Sequence, residues 1–217
     1  MLSGVIFDFD GVIVDSHPLH MAAWKAFLLS KNKPVTDSDL SFVREGAKRE
    51  EILRHFLGEL SPEQLKSHGA EKDKLFQVRA RELQLVYGFA DFLGDLESAG
   101  LPCAVATSGS RARVEHALAA FELRNRFRAI VTGDEVDRGK PDPALFLLAA
   151  QALQIERSRI LVFEDAVAGV LAAKAAGMKC VGITADGRES WLKQAGADLV
   201  MNDFAGTTIN DLRSLYV

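Results

Sequence analysis

Cysteine is scarce in this chain: the 217 residues contain two, Cys103 and Cys180, each inside an apolar stretch. That excludes a disulfide framework and predicts two buried free thiols acting as small hydrophobes. Long hydrophobic runs are missing as well. Nothing approaches the roughly 18 consecutive apolar residues of a membrane span, so no membrane partner is expected. An excess of basic charge is also lacking, because the formal net charge is −4 and no Lys/Arg run is present. A nucleic-acid backbone, which binds through counterion release to a basic face, is therefore not an expected partner. Internal repeats and low-complexity linkers are absent. Met1-Leu2-Ser3-Gly4 runs straight into an apolar stretch, without a basic leader or a small-residue cleavage site, which makes the cytoplasm the expected location. The oligomeric state stays open, with a monomer as the default.

What is present, 48% hydrophobic and 26% charged residues, is the composition of an ordinary soluble globular protein. The length suits one substantial core, or one core with a smaller appendage. The most informative stretch is FDFDGVIVDS, where Asp8 and Asp10 stand one residue apart at the end of an apolar run. Two carboxylates that close repel unless a cation lies between them or one keeps its proton. Val5-Ile6-Phe7 reads as a buried strand, and Gly11 permits an abrupt turn, so both acids should emerge at a strand's carboxyl end. In parallel α/β sheets that edge is where ligands bind.

Three helices follow in a row: one from 17 to about 30, one over 49–57, and one opened by Ser61-Pro62-Glu63-Gln64 and running to about 85. Ser16 is the expected N-cap of the first. From Gly88 onward short apolar strands at 103–106, 129–131, 160–163, 180–183 and 198–201 alternate with helices at 90–98, 111–120, 144–153 and 166–176. The pattern predicts an α/β fold with a doubly wound parallel sheet covered on both faces. The helical block is an insertion, giving a core of 1–15 and 87–217 and a helical cap of 16–86.

Four polar clusters stand at strand ends. Besides Asp8/Asp10 there is Thr107-Ser108-Gly109-Ser110 before a helix, whose hydroxyls and backbone N–H groups suit a phosphate. It could equally be a plain capping turn. Lys140 lies in the stiff loop Gly139-Lys140-Pro141-Asp142-Pro143; a lysine is more often a solvated charge, but a fixed cation can offset phosphoryl charge. Asp142 reads as the N-cap of the next helix. Glu164-Asp165 follows another apolar strand and either begins a helix or joins the first acids in an all-oxygen site suited to Mg²⁺. Metal, phosphate cradle, lysine and two acids together fit phosphoryl transfer through an aspartyl phosphate.

DFDGVIVDS, AVATSG, GKPDP and FEDAVAG, in this order and spacing, resemble the haloacid dehalogenase-like superfamily, in the branch with an α-helical cap inserted after the first strand. The resemblance covers essentially the whole chain. It implies a Rossmann-like core and assigns Asp8 as nucleophile, Asp10 as general acid/base, Thr107 as phosphate-binding hydroxyl and Lys140 as phosphate-neutralising lysine. Ser108 and Gly109 fall in the same phosphate loop. Asp8, the main-chain carbonyl of Asp10, and Asp165 would hold Mg²⁺, with Glu164 in or next to that shell. Asp15 matches a recurrent acid and reads as structural. The dehalogenases do not use the second aspartate and the transport ATPases carry threonine there, so Asp10 selects phosphatases and phosphomutases.

The block around His20, with Gly46-Ala47-Lys48-Arg49, is similar to the cap of β-phosphoglucomutase, in which the matching His and Arg orient the acid/base and grip a distal phosphate. Plainer readings of His20 and Arg49 are a helix-face residue and a surface charge. For a further cap lysine of the mutases, Lys72, Lys74 and Arg79 all stay candidates. Tyr87-Gly88-Phe89 replaces the family's usual Pro-Gly, and Ser16 stands where the mutases tend to have threonine. The expectation is a Mg²⁺-dependent phosphatase of a small phosphorylated metabolite, a sugar phosphate in the first place. The alternative is a β-phosphoglucomutase-type isomerase, and a more remote one is a non-enzymatic phospho-acceptor signalling domain, which the helical block opposes.

Overall fold

The computed structural model describes residues 1–40, 43, 49–184 and 187–216. The chain divides into two compact units, Met1–Val14 with Leu85–Val217, and Asp15–Gln84. Each is described by itself.

The first unit is built on a parallel sheet of six strands among the described residues: β1 (Gly4–Phe7), β2 (Cys103–Ala106), β3 (Ala129–Val131), β4 (Ile160–Glu164), β5 (Lys179–Ile183) and β6 (Leu199–Met201). Their order is β3-β2-β1-β4-β5-β6, and every pairing is parallel. The chain winds outward in both directions from β1, so the order reverses between β1 and β4 and opens a crevice at their carboxyl ends. The doubly wound α/β sheet expected from the alternation of strands and helices is what forms.

Strand residues alternate between two cores. On one side Ile6, Ala104, Ala106, Val162 and Cys180 pack with Leu145, Phe146 and Ala149 of α6 (Ala144–Leu153) and Val170 and Ala173 of α7 (Val167–Ala175). On the other, Phe7 stacks on Phe163 at 5.1 Å and meets Phe89 and Phe92 of α4 (Phe89–Ser98) edge-on at 5.2 and 6.3 Å. Phe204 joins this cluster. Aromatic pairs of this kind add about 0.5–1.5 kcal/mol each beyond the area they bury. The Phe7–Phe163 pair also sets register: Phe7 lies opposite Phe163, and the Asp8 N–H donates to the Phe163 carbonyl at 2.9 Å. Asp8 and Glu164 are thereby delivered side by side.

Helix α5 (Arg111–Ala120) follows β2. Two short helices, α8 (Glu189–Gln194) and α9 (Ile209–Arg213), were not anticipated. Both have too few turns for a clear apolar period. Cys103 and Cys180 are buried free thiols, as expected; burial pushes Cys103 up to about 12. No helix of the described residues is long and apolar enough to cross a membrane.

The second unit holds α1 (His17–Ser30), α2 (Arg49–Leu57) and α3 (Pro62–Val78) around Trp24, Phe27, Leu28, Leu40, Ile52 and Leu53. α3 opens with the expected capping box: the Gln64 N–H donates to Ser61 Oγ at 3.3 Å and the Ser61 N–H donates to Gln64 Oε1 at 2.8 Å. It stops at Val78 rather than near residue 85: a 3-10 turn at Ala80–Glu82 follows, and the chain is extended from Leu83 to pair Leu85 with Val14. Ser16 occupies the N-cap of α1 without acting as one: its hydroxyl makes no capping bond and is buried without a partner. Asp142 acts one residue upstream of the expected place, its Oδ1 accepting the Ala144 N–H at 3.0 Å while Pro143 is the N-cap. The segment Gly46-Ala47-Lys48 lies outside the described residues.

Candidate active site

Three strand ends meet at one ammonium. Lys140 Nζ donates to Asp8 Oδ1 at 2.5 Å, to Glu164 Oε1 at 2.5 Å and to the Ala106 carbonyl at 3.1 Å, joining the ends of β1, β4 and β2. Lys140 also lies over the Phe146 ring, 4.8 Å from its centroid. Its loop is tied by the Asp142 N–H donating to the Gly139 carbonyl at 3.1 Å. The ion pairs are buried: the side chains of Asp8, Lys140 and Glu164 are 9%, 8% and 1% exposed.

Burial pushes the Asp8 carboxyl well above its ordinary range; Lys140 opposes that, and Glu164, Asp165 and Asp10 add to it. Glu164 is raised for the same leading reason, against the pull of Lys140. Burial alone would lower Lys140, but Asp8 and Glu164 outweigh it and keep it an ammonium. One cation shared by two buried carboxylates, with two more acids in electrostatic reach, leaves an excess of negative charge that a divalent cation would meet.

The donor set fits Mg²⁺. Among the described residues no three His, Cys, Asp or Glu side chains form a ready-made cage. Mg²⁺ does not ask for one, since it takes one or two carboxylates and completes its shell with water and phosphate oxygens. Asp8, Asp165 and the Asp10 carbonyl can supply that share. Glu164 is otherwise committed: Oε1 accepts from Lys140, and Oε2 accepts the Asp165 and Ala166 N–H groups at 2.9 and 3.0 Å. It folds back over Gly169 of α7, where a Cβ would fall inside the carboxylate. A glycine inside an otherwise helical pattern was the sequence signal for this close approach.

The loop Thr107-Ser108-Gly109 is braced from β3. Thr107 is buried, its N–H donates to the Val131 carbonyl at 3.1 Å, and its Oγ1 accepts the Gly109 N–H at 3.1 Å. The Gly133 N–H donates to the Gly109 carbonyl at 3.1 Å, and Asp134 Oδ2 accepts the Arg111 N–H at 2.8 Å. A Cβ at Gly133 would stand 2.6 Å from the Ser108 carbonyl oxygen. Ser108 is exposed next to these buried groups.

Asp10 differs from Asp8 in being reachable, with a side chain 25% exposed. Gly11 turns the chain after it at φ 76°, a conformation glycine adopts without strain. The Asp10 carboxylate is held bidentately by Arg113 of α5, Nη1 to Oδ1 at 2.8 Å and Nη2 to Oδ2. Sequence reasoning missed Arg113. Nothing in its neighbourhood along the chain marks it, since its partner is 103 residues away.

The sequence pattern of the haloacid dehalogenase-like hydrolases matches residues 5–183. The chain belongs to that family. This haloacid dehalogenase-like hydrolase is 33% identical over 216 residues to validoxylamine A 7'-phosphate phosphatase of Streptomyces hygroscopicus subsp. limoneus, covering 94% of each chain. It is 32% identical over 218 residues to β-phosphoglucomutase of Bacillus subtilis (strain 168), covering 96% of this chain and 92% of the other. Among solved structures, a HAD hydrolase of family IA, variant 3, from Entamoeba histolytica HM-1:IMSS superposes with a TM-score of 0.89 at 26% identity, over 99% of both chains.

The helical unit of this hydrolase has its own polar cluster. His20 stacks on Phe76 at 4.2 Å, and Lys72 Nζ lies 2.8 Å from His20 Nδ1. With Lys72 donating, Nδ1 accepts and the ring proton sits on Nε2. Lys72 is buried, between the rings of Trp24 and Phe76 at 5.5 and 5.4 Å. Of the three candidates the sequence left open, Lys72 is the partner of His20; Lys74 is exposed, and Arg79 pairs with Glu82 at 3.3 Å. Arg49 donates to Asp73 Oδ2 at 2.9 Å and lies across Gly69, where a Cβ would meet its Nε at 2.9 Å.

Proposed function

We propose that this enzyme is a Mg²⁺-dependent phosphatase of a small phosphorylated metabolite, a sugar phosphate, working through an aspartyl phosphate. The observation that carries the reading is Lys140 joining Asp8, Glu164 and the end of β2 in one buried cluster at the crevice of the sheet. Asp8 attacks phosphorus, and the P–O bond to the leaving group breaks. Lys140 offsets the charge on the phosphoryl oxygens, and Thr107, Ser108 and Gly109 cradle them. Asp10 gives its proton to the leaving oxygen and takes one back from the water that releases phosphate from Asp8. Glu164 positions Lys140. Mg²⁺, held by Asp8, Asp165 and the Asp10 carbonyl, would supply further neutralisation of phosphoryl charge.

The substrate class rests on the relatives, whose names specify a 7'-phosphate phosphatase and a phosphoglucomutase. A second reading, a β-phosphoglucomutase-type isomerase in which a substrate hydroxyl replaces water, is favoured by the part-buried His20–Lys72 pair and by Arg49 held at Asp73. A panel of phosphorylated metabolites, assayed with Mg²⁺ for phosphate release and isomer formation together, decides between them. Phosphate release is the expected result. Conversion of β-glucose 1-phosphate to glucose 6-phosphate in the presence of a trace of bisphosphate, without free phosphate, would overturn it. Asp8→Asn should lower turnover by about three orders of magnitude or more, because an amide cannot attack phosphorus. Substantial Mg²⁺-dependent activity left in that variant would remove Asp8 from the nucleophile's role.

A further inference from the structure

The pair Arg113–Asp10 poses a problem that the phosphatase reading does not absorb. Both oxygens of the Asp10 carboxylate are taken by the two Nη groups of Arg113. A carboxylate gripped at both oxygens by a fork of N–H donors keeps only its outer lone pairs and is held in the direction that the fork sets. If Asp10 is the general acid/base, opening the pair lets its carboxylate turn toward the leaving group.

The structure shows how Arg113 is mounted. Its guanidinium lies 5.5 Å from the centroid of the Phe9 ring and crosses Gly109, where a Cβ would collide with Nη2. The cation is therefore laid over the same loop whose hydroxyls and N–H groups suit a phosphate. Unlike the buried Lys140 cluster, the pair is partly open to water, with side chains 23% and 25% exposed. A guanidinium fork fits a phosphoryl group and a carboxylate by the same bidentate geometry. Asp10 thus occupies on Arg113 the place that a substrate's phosphoryl oxygens would take.

We propose that Arg113 changes partners: with no anion bound it clamps Asp10, and an incoming phosphoryl dianion takes the guanidinium and frees the Asp10 carboxylate for proton transfer. The inference rests on the phosphatase reading above. It makes Arg113 a phosphoryl ligand and a positioning residue for Asp10, and makes Gly109 the residue that lets one side chain reach both partners. No bond other than these hydrogen bonds changes in the exchange.

The test is a double-mutant cycle on the affinity for inorganic phosphate, measured by calorimetric titration of the full chain in Mg²⁺. Competition between two ligands for one guanidinium predicts effects of opposite sign. Arg113→Ala should weaken phosphate by about tenfold, the loss of a charge-assisted pair. Asp10→Asn should tighten it by a similar factor, and that gain should vanish when Arg113 is already alanine. Simple removal of a negative charge at Asp10 would instead tighten phosphate equally in both backgrounds, and that result overturns the exchange. An unchanged affinity in Arg113→Ala overturns it too. Arg113→Lys, which keeps the charge and drops the fork, carries the same comparison where alanine fails to fold, and should weaken phosphate by at least about threefold. Phosphate that fails to bind the wild-type enzyme sinks the phosphatase reading together with the exchange; phosphate that binds without regard to Arg113 sinks the exchange alone.

Discussion

At the scale of single residues, Gly109 and Gly169 of the core unit stand where a charged side chain needs the space. Gly169 sits inside α7, where glycine costs about 1 kcal/mol relative to alanine, and the compensation is the Glu164 carboxylate folded into the space a Cβ would occupy. Glu164 in turn holds Lys140 at 2.5 Å. Gly169→Ala should therefore act against its own helix propensity. The added methyl displaces a buried charged group, and overpacking of this kind costs about 1–3 kcal/mol. Urea unfolding should show the loss, and phosphatase turnover should fall with it, because Lys140 loses its anchor. A variant more stable than wild type, with unchanged turnover, would show that Glu164 has another resting place. Gly109 and Gly133 serve the same purpose for Arg113 and for the Ser108 carbonyl.

At the scale of elements, local signals and long-range needs compete over where each one ends. α3 begins where its own residues dictate, at the reciprocal Ser61–Gln64 cap with Pro62 in the first turn. Ser61→Ala removes one side of that box and should destabilise the helical unit by about 0.5–2 kcal/mol. Amide exchange over residues 62–78 reports it directly: faster exchange is expected there, with the sheet strands unaffected. The end of α3 obeys a different constraint, the pairing of Leu85 with Val14, which no propensity in residues 79–85 encodes. Ser16 shows the same competition. Its position and residue type suit a cap, yet its hydroxyl is buried and makes no capping bond. Strands were easier to read, because four or five consecutive buried residues leave a continuous apolar run bounded by polar groups.

At the scale of the whole molecule, the parallel sheet brings its polar groups to one edge, and the reversal of strand order between β1 and β4 places Asp8 beside Glu164. Other charged groups tie the layers together. Asp198 accepts from Lys174 of α7 at 2.7 Å, the Cys180 N–H of β5 at 2.8 Å and Lys179 at 2.9 Å. Burial alone would raise its carboxyl, but these bonds outweigh it and hold it below its ordinary value of 3.8. A depressed folded value stabilises the native state above the unfolded value and is lost as pH falls through the folded one. Asp198→Asn should therefore destabilise the protein at pH 7 by about 1.5–3 kcal/mol, the range for hydrogen bonds to charged groups. The gap to wild type should close as the pH drops below 3.8. A gap independent of pH would mean that Asp198 acts through its shape and not its charge.

Most of this site is legible along the chain because its parts are short, contiguous motifs, three of them attached to the end of a strand and Lys140 in the loop before α6. Asp8/Asp10, Thr107 to Gly109, Lys140 and Glu164-Asp165 are all fixed in kind and direction by the apolar run before or the helix after them. The parallel alternation then commits them to one edge of the sheet. What the chain alone leaves open are the partners that side chains find across the fold. Lys72 is singled out from Lys74 and Arg79 by its contact with His20, 52 residues away. Glu164 takes Lys140, 24 residues away, and Arg113 takes Asp10 across 103. A long flexible side chain can reach in several directions, and only packed neighbours, with the gaps left by glycine, decide which charge it meets.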